Sequence, residues 1–189
     1  MIHFEPEVRK YATLQADADR VNFTPFRQQL LMLLHQAESD LWLRTTGPLS
    51  IGVAVGRVFE YFDELRKLIE TAKSDLLMVD PHLDAEFVSR YLPFVSQGTK
   101  VRMLARERIA TLKPAVMAFV AQSGLAIEVR AVGGFPDRYL FVDGQACYQS
   151  GASFKDGAKK TLTVLVQITD AFAGVNATYE QLWSNAAPI

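Results

Sequence analysis

Two stretches concentrate the side chains that could hold a charged ligand. In Pro136-Asp137-Arg138-Tyr139-Leu140-Phe141-Val142-Asp143, a guanidinium and a carboxylate stand five residues apart around a strand-like apolar run, directly after Gly133-Gly134. Then comes Gly151-Ala152-Ser153-Phe154-Lys155-Asp156-Gly157-Ala158-Lys159-Lys160, a small-residue turn with a hydroxyl and several ammonium groups. An arginine grips a phosphate with a planar fork of donors, and a lysine adds a point charge. Arg138 and Lys155 could therefore hold an anionic group, with Asp143 and Ser153 beside them in the two stretches. Ordinary hairpin chemistry explains the same residues differently: Asp143-Gly144 as a tight turn, Arg138 paired with Asp143 or Asp137, and Ser153 and Lys155 on a solvated loop.

A third stretch, Asp80-Pro81-His82-Leu83-Asp84, has polar side chains at alternate positions. Such a set could ligate a metal, or His82 could act as a nucleophile. An Asp-Pro turn followed by a helix cap explains both aspartates without a ligand. The other histidines, His3 and His35, are too few for a metal cluster and read as incidental. The run Gly52-Val53-Ala54-Val55-Gly56 has no strand before it and no Gly-Lys-Ser/Thr after it, so it reads as close helix packing and not as a nucleotide loop. No metal and no cofactor are expected.

Alternating elements must position these residues. A helix opens at Thr24-Pro25, carries Phe26, Leu30, Leu33, Leu34, Ala37 and Leu41 on one face, and stops at Gly47-Pro48. A second carries Val55, Val58, Phe59, Phe62, Leu65 and Ile69 and ends near Ser74. The period then changes. Leu76-Leu77-Met78-Val79, closed by Asp80-Pro81, has the continuous apolar character of a strand buried on both faces. A helix over 84–92 precedes a strand over 101–105, and a helix over 114–122, closed by Gly124, precedes a strand over 127–132. This βαβαβ order predicts three parallel strands. A hairpin of 138–142 and 146–149 follows, then a strand over 162–168 and a last helix capped by Asp170 and running to about Trp183. The expectation is an α/β domain with a mixed sheet flanked by helices over 47–189, preceded by a helical extension over 1–46. The aromatics Tyr61, Phe62, Phe87, Tyr91, Phe94, Phe119, Tyr139, Phe141 and Trp183 fall at core spacings and do not read as a platform for stacking bases.

Composition excludes several classes. With 189 residues, 49% hydrophobic, 22% charged and one cysteine, the chain can bury a core without a disulfide framework or a cysteine-based zinc cage. It has no apolar run long enough to span a bilayer, and its start lacks the basic and apolar regions of a signal peptide, so a soluble cytoplasmic protein is expected. The net charge of −1 hides an asymmetry: residues 1–97 carry 10 basic and 14 acidic groups, 98–160 carry 10 and 5, and 161–189 carry none and 2. The basic middle could face a phosphate, or Lys100, Arg102, Arg106 and Arg108 could simply solvate the ends of their elements.

Residues 136–143 and 151–160 together resemble the signature of the phospholipase D-like (HKD) superfamily. That signature reads H-x-K-x-x-x-x-D on a strand, followed by a Gly/Ser-rich turn. The likeness is to a bacterial branch reading H-D-R-[YF]-x-x-x-D and then G-A-S-x-K-D-x-G-K-K, and the order of elements from about Val55 to Trp183 is similar to one unit of that fold. In the family the motif histidine is the nucleophile, and a second histidine from a repeat or a dimer mate is the general acid. Here Pro136 stands at the histidine position, with neither nucleophile nor proton, and Arg138 stands at the lysine position. Asp143 matches the motif aspartate and Ser153 the turn serine, while Lys155 stands where many relatives have asparagine.

The resemblance implies a catalytically degenerate phospholipase D-like protein that binds a phosphate-containing ligand, nucleic acid or a phosphodiester, or serves as a subunit beside a partner. It assigns no catalytic residue. It also implies pairing as a homodimer, or as a heterodimer with a related chain. Two alternatives stand beside it: an active, metal-independent phosphodiesterase using His82 or another substitute nucleophile, and an assembly subunit working through the N-terminal helix with Leu30, Leu31, Leu34, Leu41 and Trp42.

Overall fold

The computed structural model describes residues 29–34 and 49–189, and the chain divides into two units, Met1–Gly47 and Pro48–Ile189. In the first unit residues 29–34 are helical, with Leu31, Met32 and Leu34 exposed. The rest of the helix expected over 24–41 lies outside the described residues, as do His3, His35 and Trp42.

The second unit has an eight-stranded sheet. Its elements are β1 (Ser50–Val53), α1 (Val58–Thr71), β2 (Asp75–Val79), α2 (Ala85–Tyr91), a 3-10 turn (Leu92–Phe94), β3 (Lys100–Ala105), α3 (Ile109–Ser123), β4 (Ile127–Ala131), β5 (Tyr139–Val142), β6 (Ala146–Ser150), β7 (Thr163–Ile168), α4 (Phe172–Asn185) and β8 (Ala187–Pro188). The strand order is β1-β7-β6-β5-β2-β3-β4-β8. Strands β2, β3 and β4 are parallel, as the βαβαβ pattern requires, and every other pair is antiparallel.

Both faces of this sheet are covered. Leu76 and Met78 of β2, with Leu140 and Val142 of β5, pack beneath Tyr61, Leu65 and Ile69 of α1, Phe87 and Tyr91 of α2, and Leu112 and Val116 of α3. The alternate residues Leu77, Val79, Tyr139 and Phe141 pack against Tyr179 and Trp183 of α4. Leu76–Val79 are all at 0% exposure, which is why β2 reads as an unbroken apolar run. Arg102 holds α4 to the sheet with paired bonds to Asp75 (2.9 and 2.6 Å) and Glu180 (2.8 and 2.7 Å). Its guanidinium, like that of Arg130, also lies over the Trp183 ring.

Several expectations need correction. Residues 50–53 are a strand, pairing antiparallel with β7, where helix packing was expected; only Ile51 and Val53 turn inward, and Gly52 hides so short an alternation. The third helix starts at Ile109, well before Pro114, because burying Leu112 beside Val116 carries the helix back over one further turn. Asp170 does not cap α4; Ala171 holds that position, and the Asp170 carboxylate accepts from the Thr169 hydroxyl. The two-residue β8 was not anticipated. It carries Pro188 at the sheet edge, where a missing amide donor costs no ladder bond.

Candidate anion-binding site

Strand register assembles the site. Val79 of β2 lies opposite Tyr139 of β5, and Tyr139 opposite Gln149 of β6. One step further out, Asp80, Arg138 and Ser150 therefore stand in a row across three strands, and the Ser150 amide donates to the Arg138 carbonyl at 3.0 Å. Alternation points all three side chains to the α1 side of the sheet. The row also lies at the carboxyl end of β2, where open α/β sheets hold ligands.

Each member of the row has a different degree of satisfaction. Asp80 is fully buried. It accepts from the His82 amide at 2.8 Å, and from the Ser153 hydroxyl and Phe154 amide, both at 2.8 Å. Burial raises its pKa, against the pull of those donors and of the Arg138 charge. The Ser150 hydroxyl donates to the Ala152 carbonyl at 2.7 Å, so the buried Tyr61 hydroxyl, 2.7 Å away, must donate to it. Arg138 differs from both. Its Nε is buried and has no hydrogen-bond partner. The nearby ion pairs join Lys155 to Asp156, Arg106 to Glu107 and Arg108 to Asp84, and among the described residues none includes Arg138.

The 151–160 loop closes over this row. Ser153 and Phe154 anchor it on Asp80, and the Tyr91 hydroxyl donates to the Phe154 carbonyl at 3.0 Å. Gly157 allows the close approach, since a Cβ there would come within 2.2 Å of the Tyr61 ring. Lys155 lies two residues beyond Ser153 and joins a chain of charges, Lys155–Asp156–Lys159–Glu86–Arg90.

Asp143 is not in the site. It sits at the other end of β5, with a φ of 53° in the hairpin turn it shares with Gly144. Its carboxylate accepts from the amides of Lys73, Ser74 and Asp75 and from the Ser74 hydroxyl, at 2.7–3.1 Å. Those donors hold its pKa well below the usual carboxylate range. The structure thus brings Arg138 and Ser153 together around Asp80, ties Lys155 into a neighbouring ion network, and separates Asp143 from all three.

The Asp80–Asp84 stretch splits three ways. Asp80 is a buried anchor, and Asp84 caps α2 by accepting from the Phe87 amide at 3.1 Å. His82 turns its Nδ1 to Glu107 at 2.9 Å. No group of three or more metal-ligating side chains is found among the described residues. The basic middle of the chain is largely paired: Arg102 with Asp75 and Glu180, Lys100 and Arg130 with Glu128. Sequence reasoning missed Tyr61, Ser150 and Glu107 as neighbours of the site. Tyr61 follows the helical spacing of a core residue, and only Asp80, by its place after β2, carried a signal.

Neither a family of known sequences nor a curated protein matches the chain by sequence. Solved structures do match. NucT from Helicobacter pylori superposes with a TM-score of 0.57 at 12% identity, over 75% of this chain and 99% of that one. Nuc from Salmonella typhimurium, a phospholipase D family member, gives 0.52 at 16% identity, over 75% and 98%. TrmBL2, an archaeal chromatin protein described as having a novel mode of DNA binding, gives 0.53 at 16% identity, over 100% of this chain and 72% of its own. The chain has a phospholipase D-like fold.

Proposed function

We propose that this is a phospholipase D-like protein lacking the superfamily's nucleophile, which binds a phosphate-containing ligand, nucleic acid or another phosphodiester, at Arg138. The observation that carries the reading is the unpartnered Nε of Arg138, buried at the ligand-facing end of the sheet beside Asp80 and Ser150. A buried guanidinium donor without an acceptor is costly unless something supplies one, and a phosphate oxygen fits its fork. Ser153 positions the loop through Asp80, and Lys155, on the same loop, is ion-paired with Asp156. Pro136, two residues before Arg138, offers no nucleophile. The likeness to a DNA-binding chromatin protein favours nucleic acid as the ligand class. Pairing with a second copy or a related chain would double the Arg138 charge along one ligand.

The test is fluorescence anisotropy of the full chain with labelled single- and double-stranded oligonucleotides over a salt series. Affinity should fall as salt rises, because phosphate contacts release counterions. Arg138→Ala should weaken binding by roughly tenfold or more. Absent or salt-independent binding would reject the nucleic-acid reading.

One observation favours a second reading. The Glu107 carboxylate at His82 Nδ1 orients the ring and leaves Nε2 available, the arrangement of an activated imidazole. Turnover of an activated phosphodiester in EDTA that disappears in His82→Ala would establish it. No turnover in the parent would set it aside.

A further inference from the structure

On the sheet face opposite the Arg138 row, a cleft of about 370 Å³ opens between the 134–137 segment and α4, a size within the usual range for small-molecule sites. Phe135 and Tyr179, both largely buried, form its floor, and Thr178, Gln181 and Asn185 line it from one face of α4. Asp137 is the one charged residue among those lining it. An acid without a base disfavours phosphate or carboxylate here, so the cleft suits a ligand group that donates hydrogen bonds.

Its polar groups are specific. The Tyr179 hydroxyl donates to Asp137 Oδ2 at 2.5 Å, which fixes the carboxylate and leaves Oδ1 as an acceptor. Thr178 donates its proton to the Gly174 carbonyl and keeps acceptor capacity. Among the described residues the amides of Gln181 and Asn185 have no side-chain partner, and each offers donors and an acceptor. A ligand that satisfies this set presents N–H groups to Asp137 and both donors and acceptors to the amides.

We propose that this cleft binds a nucleobase carrying an exocyclic amine, such as cytosine or adenine. Carboxylates accept from the cytosine amine, and Asn or Gln side chains pair with base edges. Uracil is a poor fit, because its N3–H is flanked by two carbonyl oxygens that would face the Asp137 carboxylate. Asp137 and Arg138 are adjacent, and alternation sends their side chains to opposite faces at the same end of the sheet. A base and a phosphate of one strand would thus be read on either side of one backbone segment. In its biological ligand the proposal rests on the nucleic-acid reading, but the cleft can be tested without any phosphate.

The experiment is saturation-transfer NMR of the full chain with cytidine and uridine, both uncharged. Cytidine should bind roughly tenfold more tightly than uridine, the scale of one hydrogen bond to a charged group. Its binding should be insensitive to salt. Asp137→Asn should abolish the preference, and Asn185→Ala, at an exposed position, should weaken cytidine without disturbing the fold. Equal binding of the two nucleosides, binding of neither, or a preference that survives Asp137→Asn would overturn the proposal. Oligonucleotide binding that depends on salt and on Arg138, with no nucleoside signal, would reject the cleft and leave the Arg138 site standing. Nucleoside binding without oligonucleotide binding would do the reverse.

Discussion

The charged residues at the two ends of β5, Arg138 and Asp143, have opposite fates. At one end the Asp143 carboxylate meets three amides and a hydroxyl, all from residues 73–75 where α1 gives way to β2. At the other, Arg138 is partly buried with an Nε that meets nothing. One charge is consumed by the fold and the other is left over. Residue type and spacing do not distinguish a charge consumed by the fold from one left without a partner, whereas asking where each hydrogen bond goes does.

The contrast can be broken most forcefully at Asp80, the anchor beside Arg138. Asp80→Ala should cost about 3 kcal/mol in urea denaturation, because it strands buried donors of Ser153, Phe154 and His82. A loss near zero would mean that the 151–160 loop does not depend on this carboxylate.

Asp143→Asn should have a smaller effect, about 1 kcal/mol near neutral pH, as for loss of an exposed capping group. It should also change the pH profile. The Asp143 pKa is depressed in the folded chain, so its contribution is present above the unfolded value of about 4 and is lost as pH falls through the folded one. The variant should be less pH-dependent than the parent on the acid side. Asp80 has the opposite sign: with its folded pKa raised, its contribution is full below the unfolded value and diminishes as pH rises through the folded one. An unchanged acid limb in Asp143→Asn would contradict the anchoring role.

The smallest stability effect is expected at Arg138. Arg138→Met keeps the apolar stem and removes a donor that bonds to nothing, so stability should change by less than about 1 kcal/mol. A loss of several kcal/mol would make Arg138 an anchor like Asp143 and erase the contrast.

Much of this architecture was legible beforehand. The 76–79 run, the alternation of helix and strand signals to residue 132, and the Asp143-Gly144 hairpin all appear in the structure, since each is a local pattern whose period or turn chemistry is strong. The elements that were missed are β1, whose alternation Gly52 interrupts, and the two-residue β8, too short for a periodic signal. In the site, Arg138 and Ser153 were visible as residue types in two ordered stretches. That Ser153 is held by Asp80 was not, because the two lie 73 residues apart along the chain.

By itself, then, the sequence determined the α/β alternation and the presence of a cation, Arg138, at the start of the hairpin, because these follow from residue type and short-range spacing. Only the tertiary structure decided which charges are free. Pairing of Arg102 with Asp75 and Glu180, capture of Asp143 by the α1–β2 junction and isolation of Arg138 Nε all depend on which strands and loops become neighbours. Hydrogen bonds and ion pairs act over a few ångströms of space, and that proximity is set by strand register and sheet order, which no local window of the chain contains.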